Sequence, residues 1–171
     1  MNTTITITPY LAEYIASKSG SCPGDPVSIH PDSDLYILIW DLMQRRPVNI
    51  PPIDTGNLII RLPDRRVGKD PTHYNYLSAE AAKIISDKIR KLFNMELHQV
   101  MDDNLHAGSP EKMIDVAYRF ICRYEIRSIS EDALVKNYYR WRETVRPKSK
   151  RGYIKKKMYG NHSDIAPCFV R

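Results

Sequence analysis

Residues 79–104 contain neither glycine nor proline, and this run limits what the chain can fold into more than any other stretch. Ala81, Ile84, Ile85, Lys88, Leu92, Met95, Leu97, Val100 and Met101 keep helical spacing along it, and Ser78 stands at the N-cap position. At about 1.5 Å per residue such a helix is roughly 39 Å long. In a chain of 171 residues such a helix can serve as the spine of the C-terminal half.

Ala107-Gly108-Ser109-Pro110 then reads as a stop and restart: Gly108 ends one helix, Ser109 caps the next and Pro110 takes its first position. The periodicity predicts a helix over 110–126 that buries Met113, Val116, Ala117, Phe120, Ile121 and Tyr124. A second helix is predicted over 131–145, with Leu134, Tyr138, Trp141 and Val145 as its buried stripe. The joint is Arg127-Ser128-Ile129-Ser130, where Ser130 caps and Ile129 with Leu134 occupies the positions of a hydrophobic staple. Two helices on a tight turn, the second basic and aromatic, is the sequence form of a helix-turn-helix DNA reader.

The chain before the spine alternates between strand and helix signals. Residues 2–8 alternate Thr and Ile, which is the period of a half-buried strand. A short amphipathic helix is expected over 9–18, with Thr8 as its cap and Pro9 at its first position, and a short strand over 27–30. A stronger helix is expected over 33–45, capped by Ser33, stopped by Pro47 and well buried through Leu35, Leu38, Ile39, Leu42 and Met43, with Tyr36, Ile37 and Trp40 widening that side. Residues 57–62 give a further strand closed by Pro63, and 63–77 a connector packed down through Tyr74 and Tyr76. The expected architecture is α+β: a small α+β module with short strands over 1–76, a three-helix, helix-turn-helix-like domain over 77–146, and a basic tail over 147–171.

Charge supports the same division. Net charge is +6, yet residues 136–157 alone hold ten Lys or Arg and one acid, Glu143, for a local net of +9 on a body that sums to −3. A block of this kind suits a polyanion, and its solvated alternative is a tail with no specific partner. On the last helix the buried stripe leaves Lys136, Asn137, Arg140, Glu143 and Thr144 outward, with Tyr139 and Arg142 at the margins. Asn reads adenine and Arg reads guanine bidentately in the major groove, so Asn137 and Arg140 are the base-reading candidates. Lys136, Arg142 and Arg146, followed by Lys148, Lys150, Arg151, Lys155, Lys156 and Lys157, are the phosphate-contact candidates. Tyr153 and Tyr159 lie beside the basic run, where they could stack on single-stranded bases. The expected partner is DNA, chiefly double-stranded. A homodimer through the edge of the Thr/Ile strand is the second expected association.

Other chemistries find less support. Gly68-Lys69 lacks the upstream glycine and the following Ser or Thr of a phosphate-binding loop. His98, Asp102 and His106 repeat at metal-ligand spacing with no fourth ligand evident, and a polar outer stripe opposite Leu97, Val100 and Met101 is the favoured account of them. Asp32, Asp34, Asp41, Asp54, Asp64 and Asp70 are scattered over loops and helix starts. Tyr138 and Tyr139 beside Arg140 and Arg142 have the composition of a strand-transfer site and nothing further. No cofactor and no catalytic residue is assigned. Cys22, Cys122 and Cys168 show no pairing pattern, which fits a reducing compartment. With no signal-peptide pattern and no membrane-length apolar run, a cytoplasmic protein is expected. The rival readings are a protein–protein adaptor whose tail only aids solubility, and a nucleic-acid-processing enzyme.

Tyr118-Arg119-Phe120-Ile121-Cys122-Arg123-Tyr124-Glu125-Ile126 and the run from Ile129 to Arg142, with Ser33-Asp34-Leu35-Tyr36 and Leu38-Ile39-Trp40-Asp41-Leu42, carry a resemblance. Across most of residues 5–145 the chain is similar to small, uncharacterised proteins of Bacteroides-type prophages and Mu-like mobile elements. The resemblance implies a phage or mobile-element setting and brings no catalytic residue with it.

Overall fold

The structure, a computed structural model, describes residues 1–22, 24–51, 55–65 and 68–146. In chain order these hold β1 (Asn2–Ile5), α1 (Pro9–Lys18), α2 (Asp34–Leu42), β2 (Leu58–Arg61), α3 (Ala79–His106), α4 (Met113–Arg123) and α5 (Glu131–Val145). The class is mixed α+β, with a two-stranded antiparallel sheet. The predicted tail, 147–171, lies outside the described residues.

The spine is α3. Its 28 residues make it roughly 42 Å long, and the Ser78 hydroxyl accepts from Ala81 N at 3.1 Å. Its buried row takes every fourth residue: Ala81, Ile85, Ile89, Phe93, Leu97 and Met101. Ile84 and Met95, which keep the same helical spacing, lie outside that row and are 40% and 58% exposed. A row spaced by four drifts slowly around the helix, which lets α3 meet α1 and α2 as well as α4 and α5. The buried side chains accordingly form one cluster that runs from Ile5 to Tyr138.

β1 pairs antiparallel with β2 in the register Thr3↔Ile60 and Ile5↔Leu58. Alternation puts Ile5, Leu58 and Ile60 on the core face. The Asn57 carboxamide prolongs the pairing by accepting from Ile7 N at 2.9 Å and donating to Ile7 O at 2.7 Å. The predicted strand at 27–30 shrinks to a single bridge, Val27 to Ile60, because only Val27 exchanges bonds with Ile59 and Arg61.

Long-range bonds move two helix ends away from their predicted places. Ser33 caps α2 as expected, through Tyr36 N at 3.2 Å, but the helix stops at Leu42 rather than 45. Met43 turns to extended backbone and is buried, and Gln44 exchanges two backbone bonds with Tyr76. The Lys69 ammonium caps the end by donating to the Trp40 and Asp41 carbonyls. Within α2 only Leu35 and Ile39 are fully buried, and Ile37 is exposed, so this helix is less enclosed than its sequence suggested. α4 starts at Met113 and not at Pro110, with no side-chain cap. The Asn104 carboxamide grips the backbone of Glu111 with two bonds, 3.0 and 3.1 Å, and so holds that segment out of the helix.

The joint between α4 and α5 is also longer than predicted, spanning 124–130 where a helix-turn-helix turn takes about three to four residues. α4 closes with Ile126 N donating to Ile121 O and Glu125 N to Cys122 O, while Glu125 sits at φ 50°. α1 ends in the same motif with Gly20 at φ 69°, the residue type that suits the left-handed position. The joint is clasped by α1: one Glu13 carboxylate oxygen accepts from Arg127 N, Ser128 N and Ser128 Oγ at 2.8, 3.1 and 2.9 Å. Glu96 on α3 adds a second tie, accepting from Lys18 Nζ of α1 and, at 2.7 Å, from the Tyr124 hydroxyl.

Candidate nucleic-acid interface on α5

α5 has its predicted bounds, and its Ser130 cap accepts from Ala133 N at 3.4 Å. Leu134 and Tyr138 are fully buried and fix the rotation of the helix. Trp141 is half-buried and stacks on the His98 ring, with centroids 4.4 Å apart and planes at 18°. Val145 was expected to complete the stripe and is 55% exposed. At that level α3 presents Asp102, whose carboxylate lies 3.9 Å from Arg146 Nη2.

The seam between α3 and α5 is polar along one side, and it takes in Asn137. The Asn137 Oδ1 lies 2.8 Å from His98 Nε2, and its Nδ2 donates to Asn94 Oδ1 at 3.2 Å. Both ends of the carboxamide are therefore engaged inside the fold, and the expected outward, base-reading position of Asn137 is corrected. One turn on, the Tyr138 hydroxyl donates to Asp102 Oδ1 at 3.0 Å. Burial and this acidic acceptor push the Tyr138 pKa up to about 12. Tyr138 is 0% exposed, so its phenol is out of reach of a phosphodiester.

His98 and Asp102 thus face α5, which replaces the expected polar stripe on the outside of the spine. His98 is a buried side chain whose Nε2–H donates to Asn137. Among the described residues no three His, Cys, Asp or Glu side chains gather as a metal would require. Burial lowers the His98 pKa, and the bond to Asn137 opposes the shift only in part. Below about pH 6.5 the unfolded chain takes up a proton at His98 that the folded chain resists. Stability from this group is therefore whole above that pH and is lost as acid is added, by at most about 1.4 kcal/mol per pH unit for one proton. Urea midpoints of the wild type and His98→Gln between roughly pH 5 and 8 isolate the effect. The expected result is a shallower acid slope in His98→Gln; parallel slopes would show that His98 does not titrate differently on folding.

The solvent side of α5 carries Lys136, Tyr139, Arg140 and Glu143, spaced as one helical stripe, and all four are exposed. Arg142 is half-buried at the margin near Tyr138, and Arg146 is exposed just past the C-terminus. Among the described residues Lys136, Arg140 and Arg142 make no ion pair. Glu131 and Asp132 stand in the first turn, where they complement the helix dipole and would repel phosphate. Lys148, Lys150, Arg151, Lys155, Lys156 and Lys157 lie outside the described residues.

No helix among the described residues is long and apolar enough to cross a membrane. No family model, no curated protein and no solved structure matches the chain.

Proposed function

We propose that this protein is a non-enzymatic, DNA-binding accessory or regulatory protein, of a phage or mobile-element setting, that lays the middle and C-terminal half of α5 in the major groove. The observation that carries the reading is the cationic stripe of α5, Lys136 and Arg140 standing exposed and unpaired by any described carboxylate. A helix locked on one face by Leu134, Tyr138 and Trp141 presents the other face at a fixed angle, which base reading requires. Arg140 takes the base-reading role, with guanine as its natural partner, and Glu143 on the same stripe can accept from a cytosine amino group. Lys136, Arg142 and Arg146 contact phosphates, and the basic run from Lys148 to Lys157 extends that contact along the backbone. Asn137 becomes a positioning residue that holds α5 to α3.

The test is fluorescence anisotropy on duplex DNA over a salt series, followed by selection from a random duplex pool. If about six of the ten cations in 136–157 meet phosphates, log affinity falls against log salt with a slope on the order of −5. Deleting 147–171 flattens that slope. Arg140→Ala costs about 1–3 kcal/mol and relaxes the selected sequence at one position. An affinity and slope untouched by both changes would remove the DNA reading. One observation favours an adaptor instead: Ile114 and Tyr118, one turn apart on α4, are 39% and 57% exposed. That reading predicts no salt-dependent binding to duplex DNA.

A further inference from the structure

We propose that the free edge of β1 is a self-association site, where a second copy of this chain adds its own β1 antiparallel about a two-fold axis through Thr4. This goes beyond DNA binding and rests on none of the residues assigned to it.

The directions of the backbone groups come first. Met1 O accepts from Leu62 N at 2.9 Å, Ile7 bonds the Asn57 carboxamide through both its backbone groups, and Thr3 and Ile5 pair with Ile60 and Leu58. Strand groups alternate in direction, so positions 1, 3, 5 and 7 face β2 and the amides and carbonyls of Asn2, Thr4 and Thr6 face the other way. Among the described residues none of these outward groups has a partner. Edge strands are ordinarily guarded by a charged residue, a proline or a bulge. Residues 2–8 carry no charge and no proline, and the pairing over 2–5 has no bulge.

Beside this edge lies an open groove of about 510 Å³, between β1 and the first turns of α3. Its helical wall offers the small side chains Ala79, Ala82 and Ser86, with Lys83, Asp87 and Arg90 beside them, and Asp87 accepts from Arg90 Nη1 at 2.9 Å. With Asp87 paired to Arg90, Lys83 is the charge this wall leaves unpaired among the described residues, and it sets up repulsion against a cationic occupant. A neutral strand of β-branched residues meets none, and β1 is such a strand.

The register also closes on itself. Outward positions 2, 4 and 6 pair as 2 with 6, 4 with 4 and 6 with 2 across the axis, and each pair exchanges two backbone bonds. Antiparallel addition keeps odd-numbered side chains of both copies on the same face, so Thr3 lies opposite Ile5 and the apolar faces join into one. The product is a four-stranded sheet, β2-β1-β1-β2, with the same surface used by each copy.

Sedimentation of the full chain without DNA, and disulfide trapping in a Cys22→Ser, Cys122→Ser, Cys168→Ser background, test the proposal. Thr4→Cys is expected to cross-link under mild oxidation, since the two Cα atoms stand about 5.5 Å apart in such a pair. Thr6→Cys is expected to form no cross-link under the same treatment, its two copies being roughly 13 Å apart. Thr4→Pro removes an outward N–H that serves no internal bond, and should raise the dimer dissociation constant at least about tenfold. Should Thr4→Pro fail to fold by circular dichroism, the two cysteine variants decide alone. Three results overturn the proposal: a wild type monomeric from about 1 to 300 µM, a range that spans the affinities of specific dimers; a folded Thr4→Pro that dimerises as tightly as the wild type; or equal cross-linking at Thr6 and Thr4.

Discussion

Phe93→Ala lowers the free energy of unfolding by about 3–5 kcal/mol. The ring is 0% exposed and lies where α1, α3 and α4 meet. Its centroid is 5.1 Å from that of Tyr10, 5.2 Å from that of Tyr14 and 5.5 Å from that of Phe120. The last two contacts are edge-on, at 87° and 83°, the geometry in which aromatic pairs add about 0.5–1.5 kcal/mol beyond their buried area. Alanine removes these contacts together and leaves a cavity whose walls belong to three helices. A domain of this kind has about 5–15 kcal/mol of stability in all, so the variant is left close to unfolding. In urea, with a slope on the order of 2 kcal/mol per molar, the midpoint should drop by roughly 2 M. Phe93→Leu, which keeps apolar volume, should lose much less. A midpoint shift in Phe93→Ala under about 0.5 M would mean that the three helices do not share this ring as their common core.

Gly56→Ala should cost about 3 kcal/mol, although the same exchange at an unstrained site stabilises by about 0.4–1 kcal/mol. A Cβ at position 56 would stand 2.5 Å from the Ile5 carbonyl oxygen, 2.7 Å from Thr4 Cγ2 and 2.8 Å from the Ile5 carbonyl carbon. Two of these atoms are backbone of β1, so no rotamer change relieves the contact. The strand has to move, and with it the pairs Thr4↔Ile59 and Ile5↔Leu58. Urea unfolding gives the size of the loss, and amide exchange at Ile5 shows whether it is local to the sheet. A Gly56→Ala variant as stable as the wild type would mean that the segment before β2 stands further from β1.

Signals within one helical turn were readable in the sequence. Ser33, Ser78 and Ser130 each cap the helix assigned to them, because the accepting hydroxyl and the donating amide are three residues apart. The helix ends that differ are set by bonds between distant positions. Gln44 meets Tyr76, and an amide side chain inside α3 claims Glu111, and neither meeting leaves a local trace. Asn137 is the instructive case within the candidate site. It stands three residues after Leu134 and four before Trp141, inside the buried stripe, so its position on the helix pointed inward while its polarity suggested solvent. Its partner His98 stands one residue after Leu97 and three before Met101, beside the buried row of α3. Two polar residues, each on the apolar side of its helix, are the signal that a buried hydrogen bond leaves in a sequence. The cationic stripe of α5 needed only the helical period and the stripe opposite it, and Lys136 and Arg140 lie where that period put them.

The clasp of Glu13 on the joint after α4 bears on how the molecule can be taken apart. The joint's amides find their acceptor on α1, more than a hundred residues earlier in the chain. A fragment begun at residue 77, the natural cut for a minimal piece to test the DNA proposal, would leave those amides to water and strip the first half of α3 of the helices that cover it. The α4–α5 pair is for that reason a poor cassette for grafting onto another scaffold. A chimera would have to bring a carboxylate of its own to the place where Glu13 stands.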